Sequence, residues 1–401
     1  MDTYKLTSLI LLGFLLFLIV LPYHVLIAET QDSSIKVNWR VYSDPTESFD
    51  IAYSICEAGD YVYIVGHQDF FGRVEMRFKS NGALVKAWTS KDFFNFRDCI
   101  AVNDKFYVFS FPWDLLVFDL DLNLLMFKRK STSDFAYSMQ LYDNHIYVAG
   151  FELTKNLDFL WRIEKWKIED LTLVKEYKGE PASGVTSLIS IGINPVSKQV
   201  WAIGDYSKEW KNYLFRVEIL DLDLNLIKDI RKDDIGIARA ISFDEEGNAY
   251  IGGDYFIAKY DKDGNEVATK EIPYEIAKIT YIKGYLFIAA TEKIQNRFRH
   301  VLCVYDKNLN LIDRVILSHD VNATAIFNIG RMAFDGKNLY IAGYDNEPGN
   351  QRWVVYSVSI FAESEWFNMI YLIIGIAVAT AVVTILIILI RRKLSKLPPI
   401  S

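Results

Sequence analysis

The stretch YDKDGNEV, residues 260–267, sets Asp261, Asp263 and Asn265 at alternate positions around a glycine. Oxygen ligands at that spacing about a turn are what a calcium loop requires. Related octets argue for plainer chemistry. FDLDLNLL (118–125), LDLDLNLI (220–227) and YDKNLNLI (305–312) place leucine where a calcium loop has its glycine or ligands, and no bidentate Glu follows. Asp, Asn and Gly between two β-patterned runs supply the left-handed backbone and side-chain-to-backbone bonds of a hairpin turn. The octet therefore predicts a turn, and no metal site is assigned.

Other signs of catalysis are sparse. His24, His67, His145, His300 and His319 show no metal-ligand spacing. The chain has no Gly-x-Ser-x-Gly, His-Glu-x-x-His, phosphate loop or Cys-x-x-Cys, so no cofactor and no catalytic residue is assigned. His67 and His300 remain candidates for a channel mouth built from separate repeats, the arrangement a lyase would need.

The elements that position any site follow from the repeats. A second motif precedes each turn: YVYIVG (61–66), KFYVFS (105–110), HIYVAG (145–150), QVWAIG (199–204), NAYIGG (248–253), YLFIAA (285–290) and NLYIAG (338–343). These seven copies are spaced by roughly 37 to 54 residues, in the range of propeller blades. Each repeat supplies four strands, none able to bury its faces alone, so the units stack radially. The last repeat ends at WVVYSVSIF (353–361) without a fourth strand, and IKVNWRV (35–41) has the β character to fill that gap. The expectation is an all-β, seven-bladed β-propeller with N- and C-terminal strands closing the ring. FDEEGNAYIGGDYFIAKYDKDGNEV (243–267) resembles repeats of the NHL and related extracytoplasmic propeller families. The resemblance implies a propeller and a binding role, and it carries over no catalytic residue.

Propellers work where the loops entering the innermost strands converge. Aligning the strand starts AYSI, RDCI, AYSM, VTSL, ARAI, AKIT and GRMA predicts a ring of Tyr53, Asp98, Tyr137, Thr186, Arg239, Lys278 and Arg331. Its cationic arc of Arg239, Lys278 and Arg331 suits a carboxylate, phosphate or acidic sugar, and its tyrosines suit a sugar ring. The same side chains also suit an ordinary solvated rim, paired with Asp98, Asp233 or Asp234. The loops after the Y-x-x-G strands (67–72, 111–114, 205–213, 291–300 and 344–353) are expected on the same face and are rich in Trp, Tyr, Phe and Arg.

Two apolar segments flank the repeats. Residues 1–28 read as a signal peptide or N-terminal anchor. Residues 366–390 carry no charge and, at roughly 1.5 Å per residue, exceed the ~30 Å bilayer core. Arg391, Arg392, Lys393 and Lys396 follow, so a basic tail (391–401) is expected in the cytoplasm and the propeller region (29–361) outside, joined by a short link (362–365). Without those four cations the formal charge of −7 becomes about −11, which argues against nucleic acid. Among the three cysteines, Cys56 and Cys99 are the candidate disulfide pair. Asn322, in Asn-Ala-Thr, is the candidate glycosylation site.

The composite expectation is a plasma-membrane, cell-surface propeller acting as a ligand- or protein-binding scaffold. Its expected partners are a surface glycan, an envelope protein or a membrane-complex subunit. An extracytoplasmic lyase or hydrolase acting on an anionic sugar, and an accessory subunit of a transport or secretion complex, are the alternatives.

Overall fold

The computed structural model describes residues 35–46, 48–92, 94–129, 134–155, 158–181, 186–208, 211–233, 235–295, 297–321, 332–345 and 350–360, with 380, 381, 384, 385, 387 and 388. Ile35–Ile360 form one compact unit built from β-strands. The six described residues of the C-terminal apolar segment are helical. No helix among the described residues is long and apolar enough to cross a membrane. The N-terminal apolar segment, most of the expected span and the basic tail lie outside the described residues, as do Asn322 and Arg331.

Five antiparallel four-stranded sheets and one six-stranded sheet make up the propeller. The first holds β2 (Asp50–Ala58), β3 (Tyr61–Gln68), β4 (Phe71–Phe78) and β5 (Leu84–Thr89). The second holds β6 (Asn95–Val102), β7 (Lys105–Phe111), β8 (Asp114–Asp119) and β9 (Leu124–Arg129). In the third are β10 (Phe135–Tyr142), β11 (His145–Leu153), β12 (Phe159–Lys167) and β13 (Leu173–Lys178). The fourth contains β14 (Leu188–Ile193), β15 (Gln199–Lys208), β16 (Lys211–Asp221) and β17 (Leu226–Lys232). The six-stranded sheet runs β18 (Ala238–Phe243), β19 (Ala249–Tyr260), β20 (Glu266–Ile282), β21 (Tyr285–Ile294), β22 (Arg297–Asp306) and β23 (Leu311–Val321). The last sheet joins β24 (Met332–Phe334), β25 (Asn338–Asp345) and β26 (Arg352–Ile360) to β1 (Ile35–Ser43) from the start of the unit. Ile35 pairs with Ile360 and Ser43 with Trp353.

Six sheets thus stand where seven separate ones were expected among the described residues. The cause is local. β20 pairs with β19 through Glu266–Glu271 and again at Glu275, and with β21 through Tyr274–Ile282, so a single strand continues from one repeat into the next. ATKEIPYEIAKIT contains no glycine or asparagine that would break it into a turn.

The hairpin turns behave as their residue types require. Asp119, Asp221, Asp261 and Asp306 each accept the backbone N–H groups of the residues two and four further on through Oδ1. Each also accepts the following Asn side chain through Oδ2 at 2.8–2.9 Å. The residue before that Asn takes a left-handed conformation: Leu122 at φ 59°, Leu224 at 59°, Gly264 at 77° and Leu309 at 65°. Leucine tolerates this strained backbone because its side chain is buried in the cores between sheets.

A second repeated device locks neighbouring sheets together. Arg73, Arg162 and Arg216 lie over Trp353, Trp113 and Trp161 respectively, at 6.0, 4.8 and 4.6 Å from the ring. Each Arg also pairs with the Glu two residues on: Glu75 at 2.8 Å, Glu164 at 2.6 Å and Glu218 at 2.5 Å. Positions i and i+2 share one face of a strand, so the Arg-x-Glu spacing puts both charges into the same gap. Burial pushes the Glu218 carboxyl up to about 7, against the opposing pull of Arg216.

Candidate functional site

The innermost strands β2, β6, β10, β14, β18, β20 and β24 approach one another in succession and close back on β2. Parts of β10, β14, β18, β20 and β24 line a cavity of about 310 Å³, whose wall includes Gln140, Ile191, Ile241, Lys278, Thr280 and Met332. At one end of this channel, six inner strands share a defect. Their pairing slips by one residue at the same place, leaving Tyr53, Arg97, Tyr137, Ile189, Arg239 and Ala277 as the extra residue of a bulge. A bulge releases one side chain from the alternation of the strand and re-aims it.

The repeat glycine is the other half of this device. A Cβ on Gly66, Gly150, Gly204 or Gly253 would stand 1.8–1.9 Å from the carbonyl oxygen of Ile51, Phe135, Ser187 or Ile237, two residues before the extra one. The bulged backbone presses onto the neighbouring strand there, and in these sheets only hydrogen fits. The next residues along those strands include His67, Phe151 and Asp254, which contact the bulge residues Tyr53, Tyr137 and Arg239 respectively.

Three bulge residues from successive sheets meet. The Arg97 guanidinium lies 4.1 Å from the Tyr53 ring and 5.3 Å from the Tyr137 ring. Tyr53 Oη and His67 Nε2 share a hydrogen bond of 3.3 Å. Burial, followed by the charge of Arg97, lowers His67 to about 4, so its imidazole is neutral at pH 7. Burial raises the Tyr137 phenol, and Arg97 partly offsets this. Among the described residues, no carboxylate pairs with Arg97.

Aromatic rings extend from Arg97 in both directions. On one side His67 stacks on Phe70 at 5.8 Å, and Phe70 meets Phe49 at 5.8 Å. Phe49 and Phe70 are 52% and 55% exposed, so this flank is open to solvent. On the other side Tyr137 stacks on Phe151 at 5.7 Å, and Phe151, Phe135 and Phe111 stack in series at 4.6 and 4.5 Å.

The remainder of the mouth is acidic but largely compensated. Arg239 pairs with Asp254, Nη2 donating to Oδ2 at 3.1 Å. Asp205 accepts the Ser187 N–H at 2.6 Å, and burial pushes its carboxyl up to about 7. Tyr255 donates to Glu275 at 2.6 Å, a bond that leads in moving the phenol up to about 12, while burial raises Glu275.

The ring aligned from sequence needs correction at several positions. Tyr53, Tyr137 and Arg239 are bulge residues. Asp98 is displaced by Arg97 and is buried, accepting Ser54 Oγ at 2.8 Å and the Met139 N–H at 2.8 Å from the sheets on either side. Thr186 precedes its strand and donates to the Asp205 carbonyl at 2.6 Å; Ile189 holds the ring position. Lys278 lines the channel wall, and Ala277 takes its place at the bulge. His300 lies on the third strand of its repeat, buried beside Tyr356. Cys56 and Cys99 share a core cluster but are unbridged: Cys99 Sγ faces Ser54 Oγ at 3.7 Å and the Tyr63 carbonyl at 3.9 Å. Several of the expected long loops are strand extensions, since β15, β21 and β25 run on to Lys208, Ile294 and Asp345.

Radially arranged sheets around an axial channel define a β-propeller. No family model and no curated protein matches the chain. Solved structures do. A chain in a crystal structure of a mitotic checkpoint complex is similar at a TM-score of 0.56 and 10% identity, covering 82% of this chain and 96% of that one. BamB from Moraxella catarrhalis aligns at a TM-score of 0.49 and 10% identity, covering 77% and 84%. At such identity the likeness to the first speaks for the fold alone.

Proposed function

We propose that this protein is a membrane-anchored propeller displayed outside the cell, which binds a partner at the channel mouth. The observation that carries this reading is the bulge ring. The same backbone defect recurs in six inner strands, yet it presents Tyr, Arg, Tyr, Ile, Arg and Ala. A uniform frame carrying non-uniform side chains at one mouth is suited to recognition. The uncharged segment at 366–390 and the basic tail after it support the anchored orientation.

The finer fold reading is a seven-bladed ring whose fifth and sixth blades are fused through β20. Three features support it: the seven copies of the second-strand motif, the two-part pairing of β20, and the register shift in β19 at Tyr255, where φ is 66°.

The test is affinity purification of the intact protein from native membranes, beside a Tyr53→Ala/Tyr137→Ala variant. The expected result is a partner retained by the wild type and lost by the variant; equal recovery from both overturns the mouth as the binding surface. Protection of a C-terminal tag from protease added to intact cells tests the orientation.

A further inference from the structure

The aromatic run through the first three sheets is interrupted by one cation. It reads Phe49, Phe70, His67, Tyr53, then Arg97, then Tyr137, Phe151, Phe135 and Phe111. Arg239 on the same ring is already neutralised by Asp254, whereas Arg97 lies over the Tyr53 and Tyr137 rings and, among the described residues, pairs with no carboxylate. Rings flanking a guanidinium cover its faces and leave its N–H edge to donate, the geometry that receives a carboxylate through two parallel hydrogen bonds. On one flank the exposed Phe49 and Phe70, and on the other the half-buried Tyr137, Phe135 and Phe111, offer flat apolar surface to C–H faces, whereas Tyr53, His67 and Phe151 are buried.

We infer that the mouth between the first and third sheets binds an acidic saccharide, with a uronate carboxylate on Arg97 and adjoining sugar rings on the flanking aromatics. This names the ligand class for the binding surface proposed above and rests on that reading. A carboxylate alone would use Arg97 but leave the rings idle. A neutral saccharide would use the rings and leave the guanidinium without its anion.

The experiment is calorimetry on the full chain in a non-glycosidic detergent. The probes are tetragalacturonate, cellotetraose as the neutral control, acetate, and a short peptide with a free C-terminal carboxylate. Tetragalacturonate is expected to bind, with cellotetraose and acetate far weaker. Arg97→Gln should weaken it about 10- to 100-fold, the loss expected for a charge-assisted bidentate pair. Arg97→Lys, which keeps the charge and loses the fork, should fall between, and it keeps the test decisive if the Gln variant misfolds. Phe70→Ala should cost a smaller, several-fold loss. Failure of tetragalacturonate to bind, unchanged affinity in both Arg97 variants, or equal binding of acetate or the peptide overturns the inference. If these probes fail while a partner is still captured in a Tyr53- and Tyr137-dependent manner, the saccharide assignment falls and the binding role stands.

Discussion

Asp98 separates a structural from a ligand-binding reading of the inner strands most sharply. Its carboxylate accepts Ser54 Oγ at 2.8 Å from the preceding sheet, the Met139 N–H at 2.8 Å from the following one, and the Cys99 N–H at 2.9 Å beside it. One buried side chain thus ties three blades together around the axis. Hydrogen bonds to a charged group contribute about 1.5–3 kcal/mol each. Asp98→Ala removes two ties between sheets, about 3–6 kcal/mol by that scale. Ser54 can turn toward the Cys99 sulfur instead, which places the expectation at the lower end, about 3–4 kcal/mol. Asp98→Asn keeps one acceptor oxygen and turns an amide toward the other donors, so about half the loss is expected. Urea denaturation of the full chain in detergent should show a lower midpoint with an unchanged slope. In a thermal scan the alanine variant should melt about 6–8 °C lower, at roughly 2 °C per kcal/mol for a unit of this size. A midpoint for Asp98→Ala within about 0.5 kcal/mol of wild type, the range of ordinary surface changes, refutes the tie.

Three further outcomes follow from the same geometry. Gly150→Ala places a Cβ 1.8 Å from the Phe135 carbonyl and should cost more than about 3 kcal/mol, whereas Gly59→Ala, at φ 54° with open space around it, should cost about 1 kcal/mol; parallel denaturation curves compare them. Leu122→Gly relaxes a left-handed residue but removes a side chain only 1% exposed, so a net loss of about 1–3 kcal/mol is expected in the same assay. Asp205, raised from 3.8 to about 7, contributes stability that is full below pH 4 and lost as pH rises through 7, so Asp205→Asn should gain on wild type between pH 5 and pH 8. His67 and His300, lowered from 6.5 to about 4, act in the opposite sense: their contribution is full above pH 6.5 and lost as pH falls through 4. Melting curves across pH 4–8 on wild type, Asp205→Asn and His67→Gln separate the two.

The parts of the fold legible in the sequence are those where backbone geometry admits few residue types. The outer turn needs an Asp whose two oxygens serve three donors, so it repeats as written in YDKDGNEV and its relatives. In four sheets the bulge carbonyl lies where only a glycine fits beneath it, so the motif's final glycine recurs in most copies. The continuity of β20 was illegible for the converse reason: a missing turn leaves no residue to mark it. The ring was misread because an extra residue in a strand is set by pairing, not by type. A slip of one position exchanges the two faces of a strand, which is how Asp98 stood in for Arg97 and Lys278 for Ala277. A signal was available. The interval separating Tyr53 from Gly66, and Tyr137 from Gly150, lands on Arg97 when counted back from Ser110, and on Ala277 from Ala290.

That failure has a physical reason that bears on function. A residue packed between blades must match its neighbours in volume and polarity, as Asp98 matches Ser54 and the Met139 amide, so substitution there is felt across three sheets. A bulge residue is released from that constraint, because the extra position has no partner across the ladder. In four sheets the glycine beneath it carries the structural requirement in its place, and under Arg97 the paired residue is the small Ser110. Side chains at the mouth are therefore free to differ from blade to blade while the frame stays constant. Arg97 occupies such a position, between two tyrosines that occupy the same position in the flanking sheets. Its environment is set by the ring and its identity is not, which is why the proposed recognition role is placed on this side chain.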